Sequence, residues 1–302
     1  MTDFQQLRTA LTAATLVPIL GPGALEGSVD PQTQQPIPAD NRSLILAMNN
    51  GREMMPRLMY EFSRAAQHVE QRRGQAAVAR FLNGVYNRPW TRAPLHDALA
   101  ALAPHWVVDL NRDLQLLDSN ADRPHTLILG TSRIMEKAKR FLLFEYDGSD
   151  YRAISEDQID TALPILFKPL GAPLPEPSYI ASDADFVDYL TELMGGFAIP
   201  DFIKKYRMGK QYLLLGVALN RDTERMLVSD ISYGASEPRG WVFLTDPSDK
   251  EQRFCKRMKL EIIDQPLQAF TRFLIEEGVE GVAESRSGNH RDAVAVTSAA
   301  AS

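Results

Sequence analysis

Short, mostly apolar runs recur along the chain, at Leu16–Leu20, Trp106–Leu110, His125–Leu129, Pro164–Lys168, Tyr212–Leu219, Trp241–Thr245 and Leu260–Ile263. Runs that do not alternate with polar residues are what strands buried on both faces require. Stretches of helical character separate several of them: residues 4–14, Asp183–Met194 behind Ser182 as a candidate N-cap, Thr223–Ile231 and Pro266–Glu277. The pattern predicts a doubly wound α/β domain, a parallel sheet covered by helices on both faces.

Two segments depart from that alternation. From Asn41 to about Leu82 the apolar residues, among them Leu44, Met48, Met55, Met59 and Phe62, fall at helical spacing, and they predict a helical insertion drawn from residues 41–90. It follows a loop at residues 27–42 that carries Pro31, Pro36 and Pro38. In Phe141–Ile154 an Asp147-Gly148 turn separates two strand-like runs, the pattern of a β-hairpin insertion. The expected domain covers residues 1–283. The remainder, 284–302, is small, polar and free of aromatics, and is expected to be a disordered tail.

Length and composition set the class. A chain of 302 residues with 44% hydrophobic content can bury a full core. Its formal charge of −6 argues against a nucleic-acid partner, because phosphate neutralisation by basic residues supplies most of such affinity. The single cysteine, Cys255, can form neither an internal disulfide nor a Cys-x-x-Cys zinc pair, so no metal is expected. The longest apolar run, Tyr212–Leu219, is far shorter than the roughly 20 residues that span a bilayer. Asp3 stands where a secretory signal would be cationic. The expectation is a cytoplasmic protein with no membrane partner.

Candidate chemistry gathers at the strand ends. Leu16–Leu20 flows into Gly21-Pro22-Gly23-Ala24, and glycine at the carboxyl end of a strand lets backbone amides approach a bound phosphate. The spacing lacks the third glycine of the dinucleotide fingerprint, so an ordinary tight turn reads the segment equally well. Asp109-Leu110-Asn111-Arg112-Asp113 stands at a second strand end, where Asn111 can cap a helix or present its amide to a sugar hydroxyl and a water. Phe167-Lys168-Pro169-Leu170-Gly171 and Leu215-Gly216-Val217-Ala218-Leu219-Asn220 mark a third and a fourth. Strand ends of this kind share one rim in an open α/β sheet.

Taken in order, the Gly-x-Gly-Ala turn, the helical excursion, Asn111-x-Asp113, Lys168-x-x-Gly171, the Asp-rich helix start at Ser182–Tyr189 and Leu213-Leu-Leu-Gly216 resemble the sirtuin-like domain of bacterial proteins, over roughly residues 10–280. That resemblance implies a Rossmann-like sheet with a smaller helical insertion and NAD bound between them. Relatives remove acyl groups from lysine, or split NAD into nicotinamide and ADP-ribose, the latter often in antiphage defence. Carried over by position, Gly21, Gly23 and Ala24 match the phosphate-cradling turn. Asn111 matches the residue that positions water or substrate at the nicotinamide ribose, and Asp113 its accompanying acid. Leu170 and Gly171 match a further cofactor-contacting turn, and Gly216 and Val217 the second nucleotide-contacting turn.

Active relatives place a histidine where this chain has Leu170, and leucine cannot accept a proton. General-base assistance is worth a factor of about 100 to 10,000 in rate. The deacylating relatives also hold a four-cysteine zinc module that one cysteine cannot supply. The implied reading is a catalytically degenerate protein that binds NAD or an ADP-ribose-type nucleotide as a sensor or regulatory subunit. Two others stay open: a working NAD glycohydrolase, and a structural partner in a protein assembly or homo-oligomer whose cleft is vestigial.

Overall fold

A computed structural model of the chain describes residues 3–134 and 139–278. Its strands are β1 (Leu16–Leu20), β2 (Trp106–Asp109), β3 (His125–Gly130), β4 (Phe141–Tyr146), β5 (Tyr151–Ala153), β6 (Ile165–Lys168), β7 (Gly171–Ala172), β8 (Ser178–Tyr179), β9 (Gln211–Leu215), β10 (Gly240–Phe243) and β11 (Leu260–Ile263). Nine of them form one sheet in the order β11-β10-β9-β1-β2-β6-β3-β4-β5, while β7 and β8 pair separately. All pairings from β11 to β3 are parallel, and β4 and β5 close one edge antiparallel. The predicted α/β architecture is the observed one.

The helices are α1 (Phe4–Thr12), α2 (Asn41–Met48), α3 (Phe62–Arg73), α4 (Gln75–Tyr86), α5 (Pro94–Leu102), α6 (Gln115–Asp118), α7 (Asp183–Gly195), α8 (Asp201–Tyr206), α9 (Asp222–Ile231) and α10 (Asp249–Met258), followed by a helix over residues 267–278. Side chains alternate across each strand, so the continuous apolar runs feed two cores at once. Val17, Ile19, Val108, Phe167, Tyr212 and Leu214 pack with α7, α9 and α10 on one face. Leu16, Leu20, Val107, Leu166, Leu213 and Leu215 pack with α1, α5 and the last helix on the other.

A third core lies outside the sheet. Leu44, Ile45, Phe62, Ala66, Val78, Leu82 and Tyr86 pack α2, α3 and α4 on one another, which makes the helical insertion a small body of its own above the strand ends. The helical spacing from Asn41 to Leu82 is interrupted, however. Asn50 and Gly51 take φ values of 53° and 77°, and Met54, Met55, Leu58 and Met59 lie in the non-helical connector before α3. Left-handed residues end a helix because they turn the next carbonyls off its axis.

One further expectation is corrected. The run Tyr212–Leu219 is strand only to Leu215, because Gly216 at φ 72° and Leu219 at φ 55° turn the chain out of the sheet. The hairpin predicted at 141–154 is present as β4 and β5, paired antiparallel, and β4 also pairs with β3 along its length, so the hairpin widens the main sheet. Ser182 caps α7 as the sequence predicts, its hydroxyl accepting from the Asp185 amide. The tail expected at 284–302 lies outside the described residues. Among the described residues no helix is long and apolar enough to cross a membrane.

Candidate functional site

Strand order reverses around β1, whose neighbours are β2 on one side and β9 on the other. A crevice at the carboxyl ends of such strands is where open α/β sheets bind ligands. Gly21 and Gly216 follow β1 and β9, and their two turns touch. The Gly21 amide donates to the Leu215 carbonyl at 2.9 Å, and the Gly23 amide to the Gly216 carbonyl at 3.0 Å. A Cβ on Gly21 would lie 2.6 Å from Gly216 O, and one on Gly216 would lie 2.4 Å from the Ala24 nitrogen. Close approach of two backbones therefore accounts for these glycines. The Ala24 amide is also engaged, donating to the Gly21 carbonyl at 2.9 Å. All three amides that the resemblance assigns to a phosphate thus meet the protein's own carbonyls. The amides of residues 217–219, just before α9, donate to no described residue.

Asn111 is fixed from two sides. Asp109 Oδ1 accepts from the Asn111 backbone amide at 3.0 Å and from its Nδ2 at 2.9 Å, and the same Nδ2 donates to the Gly21 carbonyl at 2.9 Å. The other oxygen of Asp109 accepts from Lys168 Nζ. A buried polar chain from Lys168 through Asp109 to Asn111 so links the ends of β6, β2 and β1. It leaves Asn111 Oδ1 as an acceptor with no donor among the described residues.

Asp113 sits behind this chain and does not line the cleft. Its side chain is fully buried, Oδ1 accepts from the Gln115 amide at 2.7 Å, and Oδ2 has no partner. Burial raises its pKa, and Lys168 opposes the rise. His96, from α5, is equally buried and neither ring nitrogen has a partner. Burial lowers its pKa, against the pull of Asp109 and Asp113. His105, just before β2, and His125, the first residue of β3, lie at the amino ends of their strands, opposite the cleft, and His125 is held structurally by the Arg123 carbonyl and the Tyr151 hydroxyl.

The cleft itself lies between the strand ends and the insertion. Asn111, Leu170 and Val217 line it from below, and Leu44, Phe62 and Tyr86 from above. It encloses about 60 Å³, whereas sites for nucleotide-sized molecules run to about 300–1,000 Å³. Polar clasps hold it shut. Arg112 donates through Nε to the Ile180 carbonyl at 2.9 Å while its guanidinium lies 5.5 Å from the Phe62 ring centre. On the opposite side Thr223 Oγ1 donates to Glu61 Oε1 at 2.5 Å, and the Arg221 guanidinium stacks 4.0 Å from the Tyr60 ring centre. Gly171 stands apart from the cavity: its φ of 83° and its pairing with Tyr179 make it a structural turn, since a Cβ there would meet Ser178 O at 1.8 Å.

Sequence reasoning did not find Glu61, Ser63 and Glu224, which line the same cavity. The Glu224 carboxyl is pushed up to about 7 by burial and by the neighbouring Glu61. Glu224 reads in sequence as one more charge in the first turn of a helix, and only the docking of the insertion on α9 reveals the pair. Among the described residues no group of three or more His, Cys, Asp or Glu is placed to hold a metal. No protein-family model matches the chain, and no curated protein matches it.

Proposed function

We propose that the chain is a sirtuin-like nucleotide-binding protein that takes NAD or an ADP-ribose-type nucleotide between the strand ends and the helical insertion. The observation that carries this reading is Asn111, buried at the point where strand order reverses and oriented by Asp109 and Gly21 so that one amide oxygen remains for a ligand. A buried amide held this way is suited to orienting a hydroxyl or a water. The phosphates fall to the amides of residues 217–219, ahead of the acidic first turn of α9, because the amides of the first glycine turn are engaged with protein carbonyls. Leu170 lines the cleft, and in the resemblance it takes the position of the proton acceptor, which supports the role of a sensor or regulatory subunit.

Entry of a nucleotide requires the insertion to lift, breaking the Thr223–Glu61 and Arg221–Tyr60 contacts. The hydroxyl–carboxylate bond is worth about 1.5–3 kcal/mol and the cation–π contact about 0.5–1 kcal/mol. The test is calorimetric titration with NAD and with ADP-ribose, followed by a nicotinamide-release assay on the same sample. Saturable binding with little or no release is the expected result. Fast release moves the reading to an NAD glycohydrolase. Absence of binding favours the structural-partner reading, to which the narrow, clasped cleft also lends support.

A further inference from the structure

One end of the cleft holds more acceptors than the protein fills. Glu224 Oε2 is buried and accepts no hydrogen bond. Ser63, only 2% exposed, lines the same cavity with its Oγ unpartnered. Glu61 and Thr223 stand beside them, joined through the Thr223 hydroxyl. Leaving a buried polar group without a partner costs about 1–3 kcal/mol, so two such groups facing one cavity mark a place where a ligand supplies the missing hydrogen bonds. Ser63 and Glu224 come from different elements, α3 and α9, and neither serves the other.

The chemistry of the missing group follows from what is present. Two carboxylates repel a phosphate, and two carboxylates without a third ligand make a poor divalent-cation site. What they accept well is a pair of neighbouring hydroxyls. We infer that Glu61, Ser63 and Glu224 form a sugar subsite that receives the vicinal 2- and 3-hydroxyls of a ribose. The two carboxylates act as acceptors, and Ser63 acts as donor or acceptor as needed. This inference rests on the nucleotide reading and assigns one portion of that ligand. It is consistent with a Glu224 carboxyl near 7, where the group passes readily between acid and carboxylate to suit the donors it meets.

The test is calorimetry on the full chain with ADP-ribose and two analogues, one lacking both hydroxyls on the adenosine ribose and one lacking both on the terminal ribose. One analogue is expected to bind at least tenfold more weakly than ADP-ribose to the wild type. Glu224→Ala and Ser63→Ala should each weaken ADP-ribose binding while shrinking that discrimination to threefold or less. The alanine at Ser63 removes a single oxygen and serves as the variant least disturbing to the fold. Equal binding of ADP-ribose and both analogues to the wild type, or full discrimination in both variants, overturns the diol subsite and leaves nucleotide binding standing. No binding of ADP-ribose to the wild type overturns both.

Discussion

Lys168 Nζ and Asp109 Oδ2 lie 2.5 Å apart with both side chains fully buried, joining the ends of β6 and β2 beneath the cleft. The pair shapes the site because the second oxygen of Asp109 holds Asn111. Two buried charges are tolerated only as partners, since either alone would face the full desolvation cost.

Removing one partner should therefore be worse than removing both. Lys168→Met is expected to destabilise the protein by about 3–5 kcal/mol, whereas Lys168→Met with Asp109→Asn recovers much of that loss. Urea denaturation of the wild type, both single variants and the double variant closes the cycle. Equal, additive losses in the single variants would show that the pair is not coupled.

Gly216 should tolerate no side chain. At φ 72°, with Ala24 N only 2.4 Å from a prospective Cβ, Gly216→Ala must force the two turns apart. The expected loss is more than about 2 kcal/mol. Gly84, inside α4 with nothing within 4 Å of a prospective Cβ, is the contrast. Gly84→Ala should stabilise by up to about 1 kcal/mol through helix propensity. Thermal unfolding of the two variants reads both outcomes.

These cases show what the sequence made legible. Mostly apolar runs revealed the strands because burial on both faces leaves little room for alternation, and Ser182 marked a helix start as a candidate N-cap, which its hydroxyl accepting from the Asp185 amide bears out. The ends of the runs were harder to place, since Gly216 and Leu219 leave the strand through backbone angles that the apolar Leu213–Leu219 pattern conceals. The turn glycines were visible, but their partner was not: a glycine that admits a phosphate and one that admits another backbone look alike in sequence. The Glu61–Glu224 pair was invisible because it exists only once the insertion docks.

That pair should leave a mark on stability. Glu224 has its carboxyl raised from 4.5 to about 7 by burial and Glu61, with Arg221 and Arg225 opposing. A folded-state value above the unfolded one means that the folded protein holds the extra proton. The contribution is therefore fully present below pH 4.5 and is lost as the pH rises through 7. Glu224→Gln, which cannot ionise, should flatten this part of the stability profile. Chemical denaturation between pH 4.5 and 8 measures it, and an unchanged slope in the variant would contradict the assignment.

Leu170 offers a gain-of-function test. Its side chain lines the cavity that Asn111 also lines, so Leu170→His places an imidazole there. The wild type should release nicotinamide from NAD slowly or not at all. The variant should release it faster, at some cost in melting temperature because a buried leucine is lost from the core. Asn111→Ala should abolish whatever release remains. Robust release by the wild type would show that another group accepts the proton.

The most direct measurement of the central claim is amide hydrogen exchange with and without saturating ADP-ribose. The account predicts slowed exchange at residues 217–223 and in the Glu61–Ser63 segment, with the far edge at β4 and β5 unchanged. Exchange that ADP-ribose leaves unaltered at the strand ends and the insertion would contradict nucleotide binding in this cleft.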